Sequence, residues 1–319
     1  MPTVVVSRPL HGPFEVPGAE VRTGPLGGHR SRAELLDFIA GADAIVSWVT
    51  ERVDDEFLDA AGPQLKVVSN YAVGYDNIDL EACAERGVVV TNTPDAVTEG
   101  TADVAVMHML AAARRLSEAD RFVRSGAWAE HGVLGPSEWL GQPIAGRTLL
   151  IVGAGRIGYA TAVRMLGFGV RVRYVSRSPK PNFEHAPLCA KRVTLEEGLR
   201  GADFVSVHTP LTPETRHLIG GKEFGMMKPT AVIVSTARGP VIDEAALAEA
   251  LHAGQIFGAG LDVFEREPQI SERLLSAPNV VMTPHYGSAN TQSRSEMTEL
   301  TAANIRRVLA GEPALTRVI

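Results

Sequence analysis

Gly153-Ala154-Gly155-Arg156-Ile157-Gly158 decides the fold of this chain, and it directly follows the apolar run Thr148–Val152. The glycines permit a tight turn and close backbone approach to a pyrophosphate, while the next helix presents unpaired N–H groups and a partial positive charge. A glycine-rich turn alone is common, but here a second β-like run, Val170–Val175, arrives one helix later, at the required βαβ spacing. The stretch predicts a dinucleotide-binding turn formed by Gly153, Gly155, Arg156, Ile157 and Gly158.

Short runs of β-branched residues alternate with helical stretches, which is typical of an α/β protein. A nucleotide-binding domain usually opens with its glycine pattern, so the strand candidates before Gly153 imply a separate domain. We expect an α/β fold of two Rossmann-like or flavodoxin-like parallel-sheet domains with a cleft between them. Residues 99–287 would form the dinucleotide-binding Rossmann domain, and 1–98 with 288–319 a discontinuous, flavodoxin-like substrate-binding domain. Besides Thr148–Val152 and Val170–Val175, the predicted strands are Thr3–Val6, Ala44–Ser47, Lys66–Ser69, Val88–Thr91, Phe204–Val207, Ala231–Ser235, Gly258–Val263 and Val280–Met282.

Three other segments have distinct patterns. Val104–Ala113 is the longest apolar stretch, but it is too short to span a bilayer, so we predict a buried helix. Gly126–Gly146, with its prolines and glycines, is predicted to be an irregular connection. Met297–Leu309 has its apolar residues at helical spacing and is expected to pack on the first domain.

Composition excludes several classes of protein. A hydrophobic fraction of 45% and a charged fraction of 21% are ordinary for a globular protein, neither disordered nor membrane-embedded. Met1–Val6 lacks the pattern of a signal peptide, so a cytoplasmic location is expected. Cys83 and Cys189 are too few for a disulfide framework or a zinc cluster, and no metal is expected. A net charge of −6 argues against a nucleic-acid partner.

The choice of cofactor should be set just after the second strand of the βαβ unit. An acidic residue there would bind the ribose 2′-hydroxyl of NADH, but none is present. The strand runs instead into Ser176-Arg177-Ser178-Pro179-Lys180, whose hydroxyls and cations suit a 2′-phosphate. We therefore expect NADP(H) to be preferred, with NAD(H) possible. The alternative is that Arg177 and Lys180 are solvated surface charges.

Three residues further along the chain each follow a strand candidate: Arg238, Glu267 and His285. Ligands of open α/β sheets bind beyond the carboxyl ends of the strands, so these side chains can converge on one crevice. A carbonyl that accepts hydride needs a proton donor, and histidine titrates near neutral pH. Glu267 would orient His285 and favour its protonated form, while Arg238 could bind a substrate carboxylate. Each residue alone has a structural explanation, but the three together predict a catalytic site for reduction.

With these motifs the chain resembles the D-2-hydroxyacid dehydrogenase family, and within it the glyoxylate/hydroxypyruvate reductases. The likeness covers nearly the whole chain and includes the runs Asn70–Asp79 and Val90–Pro94. It implies that the backbone amides of Val73 and Gly74 hold the substrate carboxylate, although a simple tight turn is the alternative there. It also implies that Asp262 binds the nicotinamide carboxamide. The remaining cofactor contacts implied by the resemblance are Thr101, His208, Thr209, Pro210, Thr215 and Thr236.

The resemblance implies a reductase of small 2-keto acids, glyoxylate or hydroxypyruvate, with His285 as the general acid. It also implies a homodimer built by a long helix near Asp103–Arg115. Trp139 could approach the substrate of a partner subunit or simply be packed. Tyr286 departs from the family pattern, in which an aliphatic residue often follows the histidine. Two alternatives remain: another 2-hydroxyacid or phosphonate dehydrogenase of this superfamily, and a non-catalytic nucleotide-sensing regulator.

Overall fold

Two parallel β-sheets organise this chain, one of five strands and the other of seven. The computed structural model describes all residues from Met1 to Ile319. The chain divides into a first unit, formed by Met1–Thr98 with Ser288–Ile319, and a second unit, formed by Glu99–Gly287. The predicted α/β class, with two parallel-sheet domains, is therefore confirmed.

The five strands of the first unit are all parallel to their neighbours. They are β1 (Thr3–Val6), β2 (Glu20–Thr23), β3 (Ala44–Ser47), β4 (Val67–Asn70) and β5 (Val89–Thr91). Their spatial order, β2-β1-β3-β4-β5, is the flavodoxin-like order. Every side chain of β3 and β4 is buried, because layers of helices cover both faces of a parallel sheet.

Four helices lie wholly in the first unit: α1 (Arg32–Ile39), α2 (Asp55–Ala61), α3 (Leu80–Glu85) and α13 (Thr291–Leu309). Local chemistry sets where they begin; the carboxylate of Asp79, for example, accepts a hydrogen bond from the backbone N–H of Ala82 at 3.0 Å and caps α3. The predicted amphipathic helix at the end of the chain is confirmed, and α13 packs on β3, β4 and β5.

The seven strands of the second unit are also all parallel. They are β6 (Thr148–Val152), β7 (Arg171–Val175), β8 (Lys191–Arg192), β9 (Phe204–Val207), β10 (Val232–Ser235), β11 (Gly258–Leu261) and β12 (Val280–Met282). The order β12-β11-β10-β9-β6-β7-β8 places β6 between β7 and β9, where the direction of winding reverses. Such a switch point leaves a crevice at the carboxyl end of the central strand, where ligands bind.

Both faces of the second sheet are buried. Leu150 and Val152 of β6 belong to one apolar cluster, and Leu149 and Ile151 to the cluster on the other face. This explains why the strands are continuous apolar runs.

Nine helices belong to the second unit, and the first of them begins one residue before it. They are α4 (Thr98–Ala113), α5 (Leu116–Arg124), α6 (Ala127–His131), α7 (Arg156–Leu166), α8 (Pro181–Glu184), α9 (Leu195–Gly201), α10 (Gly221–Phe224), α11 (Glu244–His252) and α12 (Glu272–Leu275), with a 3₁₀ turn at Gly239–Val241.

The structure corrects three sequence predictions. The edge strands β2 and β8 were not predicted, because β2 has one apolar residue and β8 consists of Lys191 and Arg192 alone. The segment Gly126–Gly146 is not wholly irregular, since it contains α6. The strand predicted at Gly258–Val263 ends at Leu261, so Asp262 lies in the loop that follows. No helix in either unit has the length and apolar character needed to cross a bilayer.

Candidate active site

The turn between β6 and α7 has the close backbone packing that its glycines predict. Gly153 has φ +100°, and a Cβ there would lie 2.7 Å from the carbonyl carbon of His208. At Gly158 a Cβ would lie 2.5 Å from the backbone oxygen of Gly153. At Gly155, in contrast, a Cβ would meet no atom within 4 Å, and this residue is the N-cap of α7 without a side-chain cap. The open N-terminus of α7 therefore fits a pyrophosphate group.

Polar atoms without partners lie at the ends of β9 and β10. The Oγ1 atoms of Thr209 and Thr236 and the Nδ1 atom of His208 are buried and form no hydrogen bond. Buried polar groups are costly unless they are paired, so these unpartnered atoms fit the polar groups of a dinucleotide, and the backbone of Thr209 lies beside Gly153 of the glycine turn. The hydroxyl of Thr215, however, donates to the backbone oxygen of Pro210 at 2.7 Å and holds its own loop together.

The loop after β7 carries the residues predicted to select the cofactor. Arg177 and Ser178 are exposed, and the hydroxyl of Ser176 donates to the backbone oxygen of Ser178. The backbone N–H of Lys180 donates to the phenol oxygen of Tyr174 at 2.9 Å. Sequence reasoning missed one cation here, Arg192.

Arg192 lies on the edge strand β8 and contacts the loop after β7. Its Nε donates to the backbone oxygen of Ser176 at 3.0 Å, and its Nη2 to that of Arg177 at 2.7 Å. The guanidinium of Arg192 therefore adds positive charge to the same turn. Only the pairing of β8 with β7 could reveal this, because Arg192 is 15 positions from Arg177 along the chain.

Glu267 and His285 form a hydrogen-bonded pair. The Nδ1 atom of His285 lies 2.7 Å from Oε2 of Glu267, and the other carboxylate oxygen accepts from the backbone N–H of Phe264 at 2.9 Å. His285 has φ +50°, in the left-handed region that side chains rarely adopt. Because Nδ1 faces the carboxylate, Nε2 is the ring atom left to exchange a proton with a ligand.

Arg238 lies at the end of β10, close to the loop that carries Glu267. A Cβ at the next residue, Gly239, would lie 1.9 Å from the carbonyl carbon of Phe264. The turn after β10 therefore packs directly against the segment that leads to Glu267. The Nη1 atom of Arg238 donates to the backbone oxygen of Ala237 at 2.9 Å.

Asp262 and Thr101 lie together beside the residues that follow His285. The Asp262 carboxylate is buried and accepts hydrogen bonds from the backbone N–H groups of Tyr286 at 3.0 Å and Gly287 at 2.8 Å. A Cβ at Gly287 would lie 3.1 Å from Oδ2 of Asp262 and 3.2 Å from Oγ1 of Thr101. Asp262 thus holds the loop after β12, residues 283–287, through the backbone of Tyr286 and Gly287.

The first unit contains the turn predicted to hold a carboxylate. The backbone N–H groups of Val73 and Gly74 donate to no other backbone group. The side-chain amide of Asn92 donates to the oxygen of Val73 at 2.8 Å, and that of Asn70 to the oxygen of Gly74 at 2.7 Å. Because side-chain amides hold both carbonyl groups, the turn is fixed, and its backbone N–H groups can bind an anion.

Two aromatic residues have contacts within the second unit. Trp139 has φ +55°, lies 5.0 Å from the ring of Phe122 and is covered by the guanidinium of Arg115 at 5.3 Å. The hydroxyl of Tyr286 lies 3.7 Å from the sulfur of Met107 on α4. These contacts show a packing role for Trp139 and place Tyr286 against α4.

Comparison with known proteins identifies the family. The family model described as D-isomer specific 2-hydroxyacid dehydrogenase, NAD binding domain, matches residues 106–287. The chain is also 51% identical over 289 residues to the glyoxylate reductase of Thermococcus onnurineus (strain NA1), covering 90% of this chain and 86% of that protein. The chain belongs to the D-isomer specific 2-hydroxyacid dehydrogenase family. It is a nicotinamide-dependent oxidoreductase, as the sequence motifs predicted.

Two solved structures have the same fold as this chain. A crystal structure of a protein from Thermus thermophilus superposes with a TM-score of 0.91 at 42% identity, covering 99% of this chain and 100% of that one. An NADPH-dependent glyoxylate/hydroxypyruvate reductase from Sinorhizobium meliloti, in complex with NADP and malonate, gives a TM-score of 0.83 at 33% identity. That likeness covers 99% of this chain and 96% of the Sinorhizobium chain.

Two histidines near the dehydrogenase site are held neutral by burial. Burial lowers the pKa of His108 to about 4 and that of His208 to about 3. The unfolded chain protonates each histidine near pH 6.5, so it binds more protons than the folded protein as the pH falls below that value. The stability that depends on these two histidines being neutral is therefore present above about pH 6.5. It is lost as the pH falls from there towards the pKa values of the histidines in the folded protein.

We expect the free energy of unfolding to fall between pH 7 and pH 5, with His108 contributing roughly 2 kcal/mol of the loss. Urea unfolding at the two pH values measures it. His108→Leu should flatten the pH dependence by about that amount, whereas the exposed His185, replaced by Asn, should leave it unchanged. If the free energy of unfolding had the same pH dependence in His108→Leu as in the unsubstituted protein, His108 would not be the source of the loss.

Proposed function

We propose that this dehydrogenase reduces small 2-keto acids, glyoxylate or hydroxypyruvate, to 2-hydroxy acids, with His285 as the general acid. The hydrogen bond between His285 and Glu267 supports the proposal, since an imidazole that a carboxylate holds through one ring nitrogen lies in the same unit as the dinucleotide turn. A nicotinamide cofactor, when bound, would supply the hydride. The residues of this chain bind the keto acid and deliver the proton that its carbonyl oxygen requires.

His285 can donate a proton from one defined atom. The Glu267 carboxylate accepts Nδ1–H, which leaves the Nε2–H of the charged ring for the substrate oxygen. After the proton has been transferred, the carboxylate still holds the neutral ring in its Nδ1–H form. The side chain of His285 keeps 28% of its surface exposed, so solvent can return the proton to Nε2.

We assign the substrate carboxylate to Arg238 in the second unit, because a guanidinium binds a carboxylate with paired, charge-assisted hydrogen bonds. The amides of Val73 and Gly74 in the first unit are a further candidate for this role, because a fixed turn of backbone N–H groups can also bind an anion. Arg238 also polarises the adjacent carbonyl towards hydride addition. The names of the relatives from Thermococcus and Sinorhizobium, both glyoxylate reductases, support this class of substrate.

Purified protein is expected to oxidise NADPH when glyoxylate or hydroxypyruvate is added, as followed by absorbance in a panel of 2-keto acids. His285→Ala should lower kcat by roughly 10²- to 10⁴-fold, because positioned proton transfer contributes about that much. Equilibrium binding of NADPH, measured by fluorescence, should be retained.

The exposed His252 on α11 offers a matched control, and His252→Ala should behave as the unsubstituted protein. Binding of NADPH without turnover of any 2-keto acid would instead indicate a nucleotide-sensing regulator. Turnover of phosphonates alone would indicate another chemistry within the superfamily. A kcat unaffected by His285→Ala would exclude this residue as the acid.

We further propose that NADPH is preferred over NADH, with Ser176, Arg177, Ser178 and Lys180 around the 2′-phosphate. The exposed guanidinium of Arg177, the absence of an acidic side chain from this loop and the nearby Arg192 support the proposal. A dianionic phosphate gains from each of these cations, whereas the 2′-hydroxyl of NADH gains little.

Arg177→Ala should reduce the ratio of kcat/KM for NADPH to that for NADH by roughly tenfold or more, the effect of losing one charge-assisted contact. Arg171→Ala is the control, because Arg171 is exposed at the opposite end of the same strand, β7. Steady-state kinetics with both cofactors measure the ratio. An unchanged ratio in Arg177→Ala would show that the 2′-phosphate binds elsewhere.

We also propose that the protein forms a homodimer through a groove in the second unit. The groove has a volume of about 650 Å³ and runs along α4, α5 and α7. Its apolar lining includes Leu116 and Phe168, whose surfaces are 57% and 42% exposed. Exposed apolar patches of this kind mark interaction surfaces, and a second copy of α4 and α5 supplies a matching apolar surface.

Leu116→Asp and Phe168→Asp are expected to convert the dimer into monomers, because each would bury a charge in an apolar interface. Light scattering after size-exclusion chromatography gives the mass. Leu315→Asp is the control, since Leu315 is 55% exposed and does not line the groove. A monomeric mass for the unsubstituted protein would rule out the proposed dimer.

A further inference from the structure

A chain of hydrogen bonds runs from a buried histidine on α4 to the loop after β12, residues 283–287. This loop carries His285 and is called the catalytic loop below. Thr283 follows β12, and its Oγ1 lies 2.6 Å from Oδ1 of Asp262 and 3.0 Å from Nε2 of His108. His108 is completely buried on α4. These three side chains connect the helix, the loop after β11 and the loop after β12.

The direction of each hydrogen bond follows from the chemistry of its groups. Three donors converge on Asp262, the hydroxyl of Thr283 and the backbone N–H groups of Tyr286 and Gly287. Burial raises the pKa of Asp262, while these donated bonds counter the shift by favouring the carboxylate. Because the Thr283 hydroxyl gives its proton to Asp262, its oxygen accepts from His108, and Nε2 carries the hydrogen.

The opposite side of the His108 ring agrees with this tautomer. Its Nδ1 atom is buried and has no hydrogen-bond partner. A nitrogen without a hydrogen is only an unpaired acceptor, whereas a charged ring would leave an unpaired N–H in an apolar environment. His108 is therefore a neutral donor with one defined function, the hydrogen bond to Thr283.

Packing fixes the position of His108. A Cβ on Gly260, in the neighbouring strand β11, would lie 2.5 Å from the Cβ of His108. The absence of a side chain at Gly260 lets α4 approach the sheet closely enough for the imidazole to reach Thr283. The donor at the start of the hydrogen-bonded chain is thus held by backbone packing.

The far end of this chain is the backbone around His285. Asp262 accepts from the two residues that follow His285, and the N–H of His285 donates to the oxygen of Thr283 at 3.0 Å. A non-glycine residue with φ +50° persists only when its surroundings hold it there. The Asp262 carboxylate supplies that restraint through the N–H groups of Tyr286 and Gly287.

We propose that His108 and Thr283 are positioning residues that orient Asp262, so that it holds His285 in the conformation from which Nε2 donates its proton. The kinetic part of this inference rests on the proposed function of His285. Neither residue is among those assigned to the substrate or the cofactor. Substituting either residue should therefore slow the proton-transfer step and loosen the backbone of the catalytic loop.

The first test compares Thr283→Val, which removes the hydroxyl at nearly constant volume, with Thr283→Ser, which keeps it. Thr283→Val should lower kcat for glyoxylate by about tenfold or more, with KM for glyoxylate changed by less than about threefold. Thr283→Ser should recover most of kcat. Thr148→Val is the control, since Thr148 is a buried threonine at the amino end of β6, away from the loop.

His108→Leu should lower kcat in the same way, and the double variant should be no slower than Thr283→Val alone, because both substitutions break one chain. Additive losses would show that the two residues act separately and would overturn the proposal. An unchanged kcat in Thr283→Val, or a change in KM alone, would also overturn it.

A second measurement does not depend on turnover. Hydrogen exchange of the amides of Tyr286 and Gly287, followed in a peptide spanning residues 284–290, should be about tenfold faster in Thr283→Val and unchanged in Thr148→Val. Unchanged exchange in Thr283→Val would refute the restraint even if activity fell. Faster exchange in a protein that turns over no 2-keto acid would leave the restraint standing and overturn the proposed function instead.

Discussion

The hydrogen bond between Glu267 and His285 joins two loops that lie 18 positions apart in the chain but leave the same edge of one sheet. Each partner is itself restrained: Glu267 by the backbone N–H of Phe264, and His285 by its bond to Thr283 and by the Asp262 restraint on the next residues. A parallel sheet makes this possible, because its strands all end at one edge. A shift in either loop would leave the ring of His285, the proposed proton donor, without a fixed orientation.

The surroundings of three histidines in the second unit give them different chemical properties. His285 has a carboxylate partner and keeps contact with solvent, which suits the role of proton donor proposed for it. Burial without a charged partner keeps His108 and His208 neutral, so each can act only as a fixed hydrogen-bond partner. The same kind of side chain is therefore the proposed proton donor in one place and a fixed hydrogen-bond partner in the core.

Much of the fold could be predicted from residue pattern. The buried strands of both sheets were predicted to within two residues at either end, because strands buried on both faces are continuous apolar runs. The edge strands β2 and β8 were missed, since exposed strands of this length have no such pattern. The pairing of Glu267 with His285 was predicted. The contact of Arg192 with the loop after β7 was not, because it requires β8 to pair with β7.

The sequence by itself determined the dinucleotide turn, the class of fold and the residues that are proposed to carry the chemistry, because these depend on short motifs and on periodicity. Only the tertiary structure decided what holds those residues in place. The link from His108 through Thr283 to Asp262 joins positions up to 175 apart in the chain. It exists because Gly260 lets α4 approach the sheet. No local pattern specifies such a contact, since its geometry is fixed only when helix and sheet pack together.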